Sequence, residues 1–165
     1  MLRTLRTVRA GVRADRAFIH QLSGKDGTPP IHFVRGLVLN PGIRAAALMR
    51  IAASGGYMGK LARNLLIGLH GCDTSPGCII SGALYLPHPV GIVLGKGVEL
   101  GKCVTIYQGV TVGANRRGEY PTIGDDVTLY PGSLVSGHVL VGRGAVIGAH
   151  SRVFHDVDED EVVRS

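Results

Sequence analysis

From Leu94 onward an aliphatic side chain returns at every sixth position, through Leu100, Ile106 and Val112 and, after one irregular step, Ile123, Leu129, Val135, Val141, Ile147 and Val153. Glycine usually follows it, and a second small or branched residue sits four positions on, as at Val98, Val104, Val110, Val127, Ser133, Val139, Ala145 and Ser151. A helix needs apolar positions about 3.6 residues apart, and an ordinary strand alternates every second residue without a glycine clock. The six-residue period instead predicts a mainly β fold, a parallel β-helix in which short strands form the sides of a prism and about three hexapeptides complete one coil. Composition agrees: 25 glycines, 5% aromatics and no tryptophan leave small aliphatics to build the core around sharp turns.

The 165 residues, 45% of them hydrophobic, suffice for one folded domain with an extension. The cysteines Cys72, Cys78 and Cys103 are odd in number and form no C-x-x-C pair, so neither a disulfide framework nor a zinc knuckle is expected, and a reducing cytoplasm is. No apolar run reaches the roughly 18 residues of a membrane span, and no apolar signal core follows the first arginines. Charge divides the chain: residues 1–70 hold 11 Lys+Arg against 2 Asp+Glu, and residues 71–165 hold 7 against 10.

The expected organisation is a helical cap over residues 1–71, the β-helix over 72–157 and a short, mobile acidic tail over 158–165. Leu2, Leu5, Val8 and Val12 fall on one side of a first helix and arginines on the other. The stretch GKDGTPP breaks the chain, and GIRAAALMRIAAS and YMGKLARNLLIGL read as further helices. Such a basic segment suits a cap with solvated arginines; the competing reading is a helix lying on the inner membrane surface.

Two places break the clock. Between Val112 and Ile123 the polar stretch GANRRGEYPT reads as a loop leaving the prism, where repeat scaffolds often carry function. Counting back by sixes from Leu94 lands on His88, in LPHPVG, where an aliphatic residue is due. A distorted coil is expected there, with Pro87 and Pro89 restricting the backbone and aiming the imidazole into a groove.

The stretch LPHPVGIVLGKGVELGKCVTIYQGVTVGA, preceded by RIAASGGYMGKLARNLLIGLHGCDTSPG, resembles the hexapeptide acyltransferases, and among them the serine acetyltransferase group and the small O-acetyltransferases of bacterial polysaccharide synthesis. The resemblance implies a left-handed parallel β-helix, a homotrimer, acetyl-CoA as acyl donor and no metal. It also implies that His88 is the general base and that Asp73, in the preceding coil, supports it. A hydroxyl attacking a thioester must lose its proton, and imidazole can accept one at neutral pH. Gly113 and Ala114 are the candidates to donate backbone N–H groups to the developing oxyanion, and Gly113, Ala114, Pro131 and Ala149 to line the CoA groove. Ala149 matches an alanine that the family uses there, whereas Pro131 replaces another.

The chain departs from serine acetyltransferases at Pro87, where they carry an acidic residue, and at Glu119 and Tyr120, where they carry arginine and histidine. These changes remove charges that complement a zwitterion. A sugar hydroxyl of a bacterial glycan precursor is therefore the expected acceptor, with Pro87, Glu119 and Tyr120 lining its site and Tyr120 stacking on a pyranose. Serine O-acetylation for cysteine biosynthesis is the alternative. A reading of another class is a noncatalytic assembly or nucleic-acid-binding module with a basic arm, but no aromatic platform accompanies the arginines and nucleic acid is not expected. A zinc anhydrase needs three convergent histidines, and His88, His138 and His150 share no coil phase.

Overall fold

The computed structural model describes residues 2–24 and 33–165. Most of the GKDGTPP break expected after the first helix lies outside these residues. The chain opens with α1 (Leu2–Leu22), α2 (Phe33–Leu39), α3 (Pro41–Ala53) and α4 (Gly56–His70). Asn40 caps α3, its side chain accepting from the Ile43 N–H at 3.0 Å, with Pro41 in the first turn. Gly71, at φ +60°, ends α4 and turns the chain into the prism.

Short parallel strands follow, coil upon coil. The first coil holds β1 (Asp73–Thr74), β2 (Ile79–Ile80) and β3 (Leu84–Tyr85); the second β4 (Val93–Leu94), β5 (Glu99–Leu100) and β6 (Val104–Ile106). The third holds β7 (Thr111–Gly113), β8 (Thr122–Ile123) and β9 (Thr128–Leu129); the fourth β10 (Leu134–Ser136), β11 (Leu140–Val141) and β12 (Val146–Ile147); β13 (Arg152–Val153) and β14 (Val162–Val163) close the stack. Strands β1, β4, β7, β10 and β13 form the first face, β2, β5, β8 and β11 the second, and β3, β6, β9, β12 and β14 the third. This is the parallel solenoid of a left-handed β-helix with a small helical cap. The clock residues Leu94, Leu100, Ile106, Val112, Ile123, Leu129, Val135, Val141, Ile147 and Val153 are buried in one continuous core.

Residues 158–165 do not form the separate tail expected of them. Val162 and Val163 pair with Val146 and Ile147, so the prism runs on to Val163. The acidic residues 158–161 make the preceding corner, where the Asp160 N–H donates to the Arg143 carbonyl at 2.8 Å and the Asp158 N–H to Glu161 at 2.9 Å.

The cap is fastened by a buried ion pair. Arg50 of α3 donates to both Asp15 carboxylate oxygens at 2.8 and 2.9 Å and to the Gly82 carbonyl at 2.6 Å. The Leu84 N–H donates to Asp15 at 2.7 Å, so one aspartate ties α1 to both α3 and β3. Arg50 crosses α1 at Gly11, where a Cβ would run into its guanidinium. Val8 and Val12 pack on Ile43 and Ala47. These side chains of the apolar stripe, offered to a lipid surface in the membrane reading, are thus already covered. No helix among the described residues is long and apolar enough to cross a membrane.

Candidate active site

Strand register locates both breaks in the clock. Val93 pairs with Thr111, eighteen positions on, and Leu134 with Arg152 at the same interval. Asp73 pairs with Val93 and Leu84 with Val104, twenty positions on, which puts two added residues between Tyr85 and Val93. Leu86, 2% exposed, fills the apolar clock position just beyond Tyr85. His88 therefore replaces no aliphatic residue, contrary to the count by sixes. It stands exposed on a two-residue expansion of the corner between the third and first faces. The Val90 N–H donates to the His88 carbonyl at 2.8 Å, a three-residue turn centred on Pro89. Pro87, half-buried, stiffens the other side.

The later coils stack their own residues along this corner. The Tyr107 ring lies 6.5 Å from that of His88 between centroids, and Tyr130 stacks on Tyr107 at 5.1 Å with 6° between planes. Pro131 follows, its carbonyl accepting from the His150 N–H at 2.9 Å, and Ala149 stands exposed beside it. The structure thus brings Pro131 and Ala149 to the same edge of the prism as His88.

Asp73 opens the first face next to this corner. Arg63 of α4 grips it through Nε to Oδ1 at 2.5 Å and Nη2 to Oδ2 at 2.7 Å. Hydrogen bonding from that guanidinium holds the Asp73 carboxyl below the usual carboxylate range, against a smaller opposing effect of burial. At the end of α4, His70 is buried, and its Nε2 accepts from Arg44 Nε at 3.3 Å. Burial first and the Arg44 charge second lower the His70 pKa, so this ring is neutral. Arg63, His70 and Arg44 escape sequence reasoning because each is a single polar residue on a helix, with no spacing that marks it. Cys72 and Cys78 are buried thiols, the latter pushed up to about 12 by burial.

Gly113, Ala114, Glu119 and Tyr120 lie at another corner. Thr111 pairs with Leu134 twenty-three positions on, so five residues are added between the first and second faces. The loop folds on itself: Asn115 donates to the Glu119 carboxylate at 2.7 Å, and its own side-chain oxygen accepts from the Arg117 and Glu119 N–H groups at 2.9 and 3.2 Å. Ser136 donates to the Ala114 carbonyl at 3.0 Å. The Tyr120 ring packs against Gly95 and Gly97, where a Cβ would come within 2.8 and 2.5 Å of it. Within one chain, then, His88 and Asp73 share one edge with Pro131 and Ala149, while Gly113, Ala114, Glu119 and Tyr120 occupy the next. Among the described residues no three His, Cys, Asp or Glu side chains converge as a metal site.

Comparison with known proteins agrees with this architecture. Residues 120–155 match the family model described as bacterial transferase hexapeptide (six repeats). A serine acetyltransferase of Bacillus licheniformis is 42% identical over 96 residues, which cover 56% of this chain and 44% of that protein. The chain spans about half the length of such Bacillus relatives. The serine acetyltransferase of Neisseria gonorrhoeae, solved in complex with serine, superimposes with a TM-score of 0.79 at 29% identity, covering 96% of this chain and 67% of that one. The match to the serine acetyltransferase of Helicobacter pylori is the most complete of these, 33% identity over 129 residues covering 73% of this chain and 75% of that protein. With its solenoid matched and three quarters of a relative covered at 33% identity, the chain belongs to the serine acetyltransferase family.

Proposed function

We propose that the protein is an acetyl-CoA-dependent O-acetyltransferase in which His88 is the general base. The carrying observation is the placement of His88: exposed on a two-residue expansion of the corner at which Asp73 begins the first face, in a chain of the serine acetyltransferase family. The acceptor hydroxyl gives its proton to the imidazole as its oxygen attacks the thioester carbonyl. The tetrahedral oxyanion collapses, the C–S bond breaks, and the CoA thiolate leaves and recovers the proton. Asp73 supports the ring electrostatically, and Pro131 and Ala149 continue the edge on which the pantetheine arm lies.

The acceptor best supported is L-serine rather than a sugar. The relatives are named for serine, and the Neisseria protein binds it. Two of the three residues that favoured a sugar are otherwise engaged: Tyr120 covers Gly95 and Gly97, and Glu119 is bonded to Asn115. His88 and the loop at Gly113–Tyr120 occupy different corners, so a site using both needs two prisms side by side, which supports a trimer with its clefts between copies. A cytoplasmic location, expected from the three cysteines, accords with the thiols being unpaired. Release of CoA from acetyl-CoA with serine, homoserine and nucleotide- or lipid-linked sugars tests the acceptor. Serine is expected to exceed every sugar in kcat/KM by about 100-fold, about 2.7 kcal/mol of transition-state binding. A sugar that outperforms serine would return the acceptor to the glycan class.

A further inference from the structure

Arg50 is 8% exposed, and four of its five N–H groups are committed: Nη1 donates to Asp15 Oδ2 at 2.9 Å and to the Ala46 carbonyl at 3.3 Å, Nη2 to Asp15 Oδ1 at 2.8 Å and to the Gly82 carbonyl at 2.6 Å. The fifth, on Nε, has no partner among the described residues. An unpaired donor on a side chain this buried is costly and calls for an acceptor. Nε lies over the bare α-carbon of Gly11, where a Cβ would collide with it. Arg50 and Gly11 both line a cavity of about 510 Å³ between α1 and the Ser81–Gly82 corner, which joins the second and third faces. His88 stands at a different corner, between the third face and the first.

The walls of this cavity are donors and small apolar groups. Arg6, exposed, stands on the same side of α1 as Ala10 and Ala14, one and two turns on. The prism contributes Ile80, half-buried, and the exposed Ser81. No described residue of the lining is acidic. The Asp15 carboxylate matches the charge of Arg50, which leaves Arg6 in excess. A larger apolar side chain at Ala10 or Ala14 would fill the space, as Val8 and Val12 do where α1 meets α3. A bare phosphate or chloride ion would leave most of the volume empty, whereas it falls in the range of sites for small organic molecules. We propose that the cavity binds a small organic anion, whose carboxylate or phosphate oxygen accepts from Arg50 Nε and pairs with Arg6 while its apolar body lies on Ala10, Ala14 and Ile80.

The test titrates the full chain, by calorimetry at constant ionic strength set with sodium chloride, with butyrate and with phenyl phosphate, a carboxylate and a phosphate each on an apolar body. At least one is expected to bind saturably with a Kd of about 1 mM or tighter, and the tighter of the two identifies the anion. It should also raise the melting temperature, because an occupant held by Arg50 favours the folded cap. Arg6→Gln, a change at an exposed side chain, should weaken binding about fivefold or more. Ala14→Leu should abolish binding by filling the cavity, with Ala10→Leu as the second filling variant if the first does not fold. Arg143→Gln, which removes a positive charge in the fourth coil, should bind as the wild type does. The proposal is overturned by no saturable heat with either anion, by undiminished binding in a folded filling variant, or by equal weakening in Arg6→Gln and Arg143→Gln, which would reduce the effect to net charge. None of these readouts involves acetyl transfer, so they stand apart from the role of His88.

Discussion

Arg63 binds Asp73 through both carboxylate oxygens, so the helical cap reaches directly into the edge of the prism that carries His88. The pair is partly exposed, 38% and 29% by side chain, and belongs to the class of ion pairs worth at most about 1 kcal/mol. Arg63 lowers the Asp73 pKa, and the stability this contributes is present above the unfolded value and lost as pH falls through the folded one. Arg63→Gln should therefore melt slightly below wild type at neutral pH, and the gap should close as the pH drops below about 4. Melting curves across that range check it; a gap that persists in acid would mean that the contact acts through packing.

Asp15 behaves in the opposite sense. Burial, which outweighs Arg50 and the Leu84 N–H, raises its pKa from 3.8 to about 6, so folding takes up a proton between those values. The contribution of this group is full below the unfolded pKa and is lost as pH rises through about 6, a change of about 3 kcal/mol. Asp15→Asn, which keeps an acceptor for Leu84, should flatten this part of the stability profile. Asp15→Ala strands a buried guanidinium and should cost about 3–5 kcal/mol. Denaturant titrations at a series of pH values distinguish the two.

Deleting Pro87 and His88 leaves Leu86-Pro89-Val90-Gly91, the length of Ile106-Tyr107-Gln108-Gly109 in the next coil. The register predicts that this shortened chain regains an eighteen-residue first coil and folds. Its melting temperature should stay within about 3 °C of wild type, a change of roughly 1 kcal/mol, while acetyl transfer is lost. Failure to fold would show that the solenoid itself needs the expansion.

Much of this was legible in the sequence, and the misses share a physical origin. The six-residue clock describes contacts made one coil apart, so it placed the buried residues from Leu94 to Val153 and marked both irregular corners. Carried backward across an insertion it loses phase, which is why it pointed at His88 when the buried position is Leu86. The loop was visible as polar sequence, but the packing of Tyr120 on Gly95 and Gly97 is a contact between coils that no local pattern encodes. Asp15 on an arginine-rich helix reads as a solvated charge, because its partner Arg50 is 35 positions away. Residues 158–165 read as acidic and mobile, yet Val162 and Val163 were enough to pair with β12.

The separation of His88 from the Gly113–Tyr120 loop makes a prediction about assembly. If each site takes His88 from one copy and the loop from its neighbour, His88→Ala and a chain lacking residues 115–119 are each inactive alone. Co-refolded in equal amounts, they should recover about a quarter of wild-type sites, as expected for a heterologous interface. Activity that never exceeds the two parents would place the whole site within one chain.

Whether His88 takes the acceptor proton is measured by the rate of acetyl-CoA-dependent transfer to serine by purified His88→Ala, with thiol release as the readout. Loss of the general base should lower it roughly 100-fold or more in a protein whose melting temperature and assembly match wild type. Transfer at the wild-type rate by that folded variant would show that His88 does not.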